Sequence, residues 1–320
     1  MEPAMNKQTP TFSKSAVILL AVFCCVLWGS ITPVVKVSYQ YFHLTDRDTA
    51  SLTVFAGIRY ILCGAVGIAF GTVKNRRFLR PKRTSWGMVL KLALVQTFIQ
   101  QLAFYVSLTH VSGVNASILG SLNNFFSILV ACLVFHQEKL TLRKLAGCAL
   151  GFAGVVFINV SQGSIAAGVS LAGEGALLVA CVSCGASYAM IKEYTPREDV
   201  LVLMAYQFLL GGVMLASAGF AFGGTVHTAA PAGYALFAYM VVMPITAFTL
   251  WGVLLQSSRV SQLSAFGFVS PITGVILSAV FLRESGKVSA LQCAVSLVLV
   301  SLGIYVVNSR EKAAAGGPES

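Results

Sequence analysis

Residues 15–35 read SAVILLAVFCCVLWGSITPVV, 21 positions without a formal charge between Lys14 and Lys36. A helix rises about 1.5 Å per residue, so a run of this length matches the roughly 20 residues that cross the hydrocarbon core of a bilayer. Residues 288–309, between Lys287 and Arg310, add another 22 uncharged positions. Of the 320 residues, 57% are hydrophobic and 10% charged, with a mean hydropathy of +0.81, against about 25% charged in soluble domains. A soluble core does not have that composition. The chain reads as an all-α integral membrane protein.

Working outward from charge to charge predicts ten spans. The first is 15–35 and the second 49–73, interrupted only by Arg59. Residues 92–137 carry no Lys, Arg, Asp or Glu and hold two helices with a break at Ser112-Gly113. A fifth lies in 145–173, followed by the Gly/Ser-rich stretch 162–168, and a short sixth in 175–191. The 59 uncharged residues 200–258 hold two spans, and 260–282 and 288–309 are the ninth and tenth. The first run reaches Lys36 without a small-residue cleavage site, so it is expected to be an uncleaved helix and not a signal peptide.

Basic residues near helix ends stay on the cytoplasmic side. With the N-terminus inside, 16 Lys and Arg fall on the inner side, including the run Lys74, Arg76, Arg77, Arg80, Lys82 and Arg83, and only Lys36, Arg47, Arg283 and Lys287 fall outside. Both termini are therefore expected in the cytoplasm of a cell whose plasma membrane holds the chain. The same asymmetry explains the net charge of +11 as a topology and lipid signal, with no nucleic-acid partner expected. All eight cysteines fall in spans. The Cys181/Cys184 spacing has no activating charge beside it and reads as packing, not redox chemistry.

The halves repeat. Residues 115–138 match 261–284 at a constant offset of 146, each an apolar helix that ends on one residue and then Glu (Gln137-Glu138, Arg283-Glu284). Gly29 to Lys36 has the spacing of Gly185 to Lys192, and Arg59-Tyr60 pairs with Gln207-Phe208, each with Gly five residues after the Arg or Gln. A five-helix unit occurring twice must enter the membrane in opposite senses, and inverted repeats characterise transporters, with the site between the halves.

These residues resemble a known family. Trp28-Gly29-Ser30, Pro33 and Lys36 are similar to the first-helix signature of the EamA-type branch of the drug/metabolite transporter superfamily. Arg59-Tyr60 resembles its second-helix Arg-aromatic pair, and Glu138 with Gly147 and Gly154, then Ser270-Pro271, Glu284 and Gly303, resemble its two repeat ends. The resemblance covers roughly 16–307. It implies two inverted EamA repeats at 15–161 (helices 1–5) and 172–309 (helices 6–10), joined by an outer connection 162–171 and flanked by cytoplasmic tails 1–14 and 310–320. It also implies a central cavity and movement of a small metabolite. Where the family has proline in the fourth helix, this chain has Phe125 after Asn123-Asn124.

Polar groups inside a span must face water or protein. Gln96 and Gln100 stand four apart, on one helix face, and are expected to line the cavity with one of Asn123 and Asn124, Ser187 beside Tyr188, and the aromatic walls Trp28, Tyr105 and Trp251. Arg59, Lys36, Lys192, Pro33 and Pro271 are assigned structural or gating parts. For Arg59 the alternative is an anionic substrate group. No Gly-x-x-x-x-Gly-Lys loop is present, no metal-ligand spacing occurs, and no acid sits mid-span to relay protons. The reading is therefore a secondary exporter or exchanger of a small polar metabolite such as an amino acid, working by alternating access as a monomer or weak homodimer, without a cofactor. The other classes are a non-transporting receptor or assembly protein, or an intramembrane enzyme. Against the enzyme, Gly185-Ala186-Ser187-Tyr188-Ala189 falls one residue short of a nucleophile elbow, and Ser187 has no His or acid in the span to activate it.

The 16 to 4 asymmetry yields a test. A single cysteine placed near Arg80, in a background whose native cysteines are unreactive, should stay unlabelled by a membrane-impermeant maleimide added to intact cells and react after permeabilisation. Labelling from outside would reverse the orientation.

Overall fold

The computed structural model describes residues 12–45, 48–108, 110, 120–160, 171–226, 231–281 and 290–309. Among these the chain is helical throughout and holds no strand. We label the helical runs α1 (Lys14–Tyr41), α2 (Thr49–Asn75), α3 (86–108), α4 (Leu122–Val134), α5 (Leu142–Val160), α6 (171–194), α7 (Val200–Ala221), α8 (Pro231–Ser257), α9 (260–281) and α10 (Ala290–Asn308). Six described helices are long and apolar enough to cross a membrane: Lys14–Tyr41, Thr49–Asn75, Arg83–Ser107, Ala172–Tyr194, Val200–Ala221 and Pro231–Ser257. The expected turn at Ser112-Gly113, the connection 162–168 and both tails lie outside the described residues.

Three of these helices start on side-chain caps that satisfy first-turn N–H groups. Ser13 Oγ accepts from Ala16 N at 3.2 Å, Asp48 Oδ1 from Ser51 N at 3.0 Å, and Asp199 Oδ1 from Leu201 N at 2.9 Å. Outward-pointing Leu19, Phe70, Val73 and Leu142 are more than half exposed, a surface that suits lipid and not water.

Helices distant in sequence pack in pairs. α2 lies along α7 and α5 along α10; α1 packs on α8 and on the second segment of α9, while α6 packs on α3 and α4. Small residues allow the closest of these approaches. A Cβ on Gly29 would come within 2.6 Å of Ser270 O and 2.8 Å of Thr273 Cβ; one on Gly185 would meet Ser127 N at 2.7 Å. Thr273 and Ser127 are separated by the same 146 positions that relate the helices carrying them.

α9 is interrupted. Its segments Val260–Phe266 and Val269–Phe281 are separated at Gly267 and Phe268, where Gly267 N bonds Ser264 O and Ser270 N bonds Gly267 O at 3.1 Å. Pro271 sits in the first turn after the break, where its missing N–H is not needed. The equivalent place in α4 has no proline, yet Asn124 N bonds Ser121 O at 3.3 Å in the same three-residue turn. The break is set by the turn; Pro271 follows it.

The end of the bundle carrying the basic loops is closed by hydrogen bonds between elements distant in sequence. Glu138, in the loop after α4, accepts from Ser261 N at 3.2 Å and from Ser261 Oγ at the start of α9, and pairs with Lys144 Nζ at 2.9 Å. Gln137 Nε2 donates to Ala189 O at 2.8 Å, Lys82 N to Glu198 Oε2 at 2.9 Å, and Tyr206 OH to Leu79 O at 2.8 Å. Burial by itself would raise the Glu138 carboxyl, but the Ser261 hydroxyl, Lys144 and the Ser261 N–H outweigh it and hold it below the usual carboxylate range.

A carboxylate held below its ordinary pKa of about 4.3 contributes stability that is present above that pH and lost as pH falls through the lower folded value. Thermal melting of the purified protein should therefore show little Glu138-dependent change between pH 8 and 5 and a loss only at more acid pH. Glu138→Ala should destabilise by about 3 kcal/mol at neutral pH, since it strands a buried ammonium. A melting curve unchanged by Glu138→Ala at pH 7 would remove this cluster from the stabilising interactions.

Candidate functional site

A cavity of about 550 Å³ lies between the halves of the bundle, in the part remote from the basic loops. α1 contributes Trp28, Val35 and Tyr39, α2 Leu52, Arg59 and Tyr60, and α3 Gln100, Gln101, Phe104 and Tyr105. α4 contributes Asn123 and Asn124, α6 Cys181, Cys184 and Tyr188, α8 Met243, Pro244 and Phe248, and α9 Gly267 and Ser270. Its wall is largely apolar and aromatic with a few polar groups, the usual build of a small-molecule site.

The aromatic floor is a packed group. Trp28 stands 6.4 Å from Tyr188 in a stacked pair, 5.2 Å from Phe248 and 4.9 Å from Trp251 edge-on. Trp251 is fully buried behind the others and supports Trp28 without reaching the cavity. On the far wall the Tyr60 ring stacks on Phe208 at 5.2 Å, and the Arg59 guanidinium lies 4.7 Å over the Tyr60 ring, a cation–π arrangement.

Of the residues expected to bind substrate, Trp28, Gln100, Tyr105, Asn123, Asn124 and Tyr188 meet at this cavity, and Gln96, Ser187 and Trp251 do not. Gln96 lies within the π-helical stretch Ala93–Ile99 and is buried away from the cavity. Ser187 is fully buried and donates to Cys184 O at 2.7 Å on its own helix. Both asparagines line the wall. Asn123 Nδ2 reaches Cys184 Sγ at 3.8 Å, and the Asn124 side chain fills the space that a Cβ on Gly267 would need, 1.9 Å from Oδ1.

Among the residues assigned structural parts, Arg59 lines the cavity and does not stand at the periphery. Lys192 Nζ donates to Leu255 O at 3.0 Å and to Ser258 O, closing the end of α8. Pro33 is buried within α1; the Lys36 side chain lies outside the described positions. Tyr39, Gln101, Phe104 and Pro244 were not singled out by sequence reasoning, and Tyr60 only as the partner of Arg59 in the Arg-aromatic pair. Among the described residues no group of three or more His, Cys, Asp or Glu could hold a metal ion.

The EamA-like transporter family matches residues 15–160 and 171–309. The chain belongs to this family. An uncharacterized transporter, YvbV, of Bacillus subtilis (strain 168) is 26% identical over 96% of this chain and 95% of its own length. A "Probable terminal-alkyne amino-acid exporter" of Streptantibioticus cattleyicolor is 24% identical over 92% of this chain and 94% of its own. A "Probable amino-acid metabolite efflux pump" of Salmonella typhimurium is 25% identical over 90% and 93%. A crystal structure 17% identical in sequence shares the fold, with a TM-score of 0.74 over 92% of this chain and 97% of that one. This EamA-like transporter is thus a membrane protein that handles a small molecule, and it is not an enzyme.

The two glutamines separate by experiment. Gln100 Oε1 is a buried acceptor without a partner at the cavity wall, whereas both amide atoms of Gln96 are buried without partners away from it. Gln96→Leu should leave transport unchanged and keep or raise the melting temperature, because an unsatisfied buried amide costs about 1–3 kcal/mol. Gln100→Leu should weaken the apparent substrate constant about two- to tenfold with normal folding. The reverse pattern in concentration-dependent uptake would exchange their roles.

Proposed function

We propose that this EamA-like transporter is a secondary exporter or exchanger of a small polar metabolite such as an amino acid, embedded in the plasma membrane with both termini cytoplasmic. Ten spans form two inverted five-helix repeats, 15–161 and 172–309, around the central cavity, and the substrate passes by alternating access in a monomer or weak homodimer. The observation that carries the reading is a largely apolar cavity with a few polar groups, lined by both family-matched segments and placed away from an end that is stitched shut. Supporting it, the helix pairings are unchanged when the halves are exchanged: α1 on α9 corresponds to α6 on α4, and α1 on α8 to α6 on α3. In this arrangement Glu138, Gln137 and Lys82 close the cytoplasmic end and the cavity belongs to the outward-facing state. The names of the Streptantibioticus and Salmonella relatives point the substrate class toward amino acids.

Proteoliposomes containing the purified chain and preloaded with a single unlabelled amino acid should accumulate its labelled form by counterflow without ATP, for at least one member of a panel covering the common amino acids. Absence of counterflow for every member, in vesicles shown to hold folded protein, would overturn the amino-acid assignment.

A further inference from the structure

Two cations are buried among the described residues, Arg59 and Lys144. They are held differently. Lys144 has a carboxylate at 2.9 Å and a backbone carbonyl, Lys139 O, at 2.7 Å. Arg59 is 4% exposed, its Nε has no hydrogen-bond partner, and its close neighbour is the face of Tyr60. The titratable groups around it are Tyr60, Tyr105, Tyr39 and Cys63, all ordinarily neutral at physiological pH. Among the described residues lining the cavity, Arg59 is also the one charged side chain. A guanidinium kept in a low-dielectric wall with no anion facing it has a vacant, strongly favoured partner position.

We propose that Arg59 is the anchor for a single carboxylate on the transported substrate, an inference that rests on reading this cavity as the transport site. A phosphate dianion would call for a second cation, and none lines the cavity among the described residues. A planar guanidinium matches a carboxylate in two parallel hydrogen bonds. The remaining polar wall suits the other end of such a molecule. The Gln100 and Asn123 side chains line the cavity, and among the described residues no acid does, so an ammonium is met by their amide oxygens and by the faces of Trp28 and Tyr188. The site is therefore complementary to a zwitterion with one carboxylate and rejects substrates whose acid has been masked.

The test compares acids with their carboxamides on the full purified chain in detergent, by calorimetry and thermal shift. The panel pairs each common amino acid with its amide, for example L-phenylalanine with phenylalaninamide, and adds phenylpropionate and inorganic phosphate. Wild-type protein should bind at least one acid ten- to a hundredfold more tightly than its amide, the range expected for a charge-assisted hydrogen bond in a buried site, and should not respond to phosphate. Arg59→Gln should bring that acid down to the level of the amide, leave the amide unchanged, and melt no lower than wild type, since Gln207 already fills the equivalent position in the other half. Arg59→Lys should retain part of the preference. Equal affinity of the wild type for every acid and its amide, or tighter binding of phosphate, overturns the proposal even if the Gln variant fails to fold. So does a folded Arg59→Gln protein that binds acids as the wild type does. A wild type that binds and transports amides but not acids sinks the anchor and leaves the transporter reading standing; one that binds and transports nothing in the panel sinks both.

Discussion

Hydrocarbon supplies no hydrogen-bond partner, and each polar group in this chain is placed under that constraint. It forces the backbone into helices, since an unpaired N–H or C=O in lipid costs several kcal/mol. It also sorts the side chains. Leu19, Phe70 and Val73 face outward, while Arg59, Gln100, Asn123 and Asn124 turn toward the interior of the bundle. With few charges to distribute, the positions of the remaining ones carry most of the information: the basic loops at one end, Glu138 and Lys144 sealing that end, and Arg59 alone in the cavity wall.

The second constraint is close approach. Two helix crossings need a residue without a Cβ: Gly29 where α1 meets α9, and Gly185 where α6 meets α4. Near each glycine the facing helix carries an i→i+3 hydrogen bond, from Asn124 N to Ser121 O where α4 begins and from Ser270 N to Gly267 O at the break in α9. These turns bring the Asn124 side chain and Gly267 into contact across the cavity wall.

Part of this was legible in the sequence, because charge spacing reports the membrane. Six of the helices drawn from uncharged runs are long and apolar enough to cross a bilayer. The site was legible only in part. Trp28, Gln100, Tyr105 and Tyr188 could be picked out as polar or aromatic residues in apolar runs, but which face of a helix looks inward depends on helical phase and on neighbours. Gln96, within the π-helical stretch Ala93–Ile99, is packed by its neighbours away from the cavity. Trp251 fails on neighbours, standing behind Trp28 at 4.9 Å. For Arg59 the sequence shows a cation in an apolar span and cannot show that the surrounding groups are phenols and a thiol instead of a carboxylate.

The closed end and the cavity share a mechanical element. The first segment of α9, Val260–Phe266, begins at Ser261 on the Glu138 carboxylate and runs to Gly267 against Asn124. Seven residues of helix span about 10 Å and bend little over that length. A displacement of Ser261 away from Glu138 is therefore carried along this segment to Gly267, and with it to the wall formed by Asn124 and Ser270. Glu138 reaches this lever from the loop after α4, the helix that carries Asn123 and Asn124. The hydrogen bonds sealing one end and the amides lining the cavity thus sit on the same two helices.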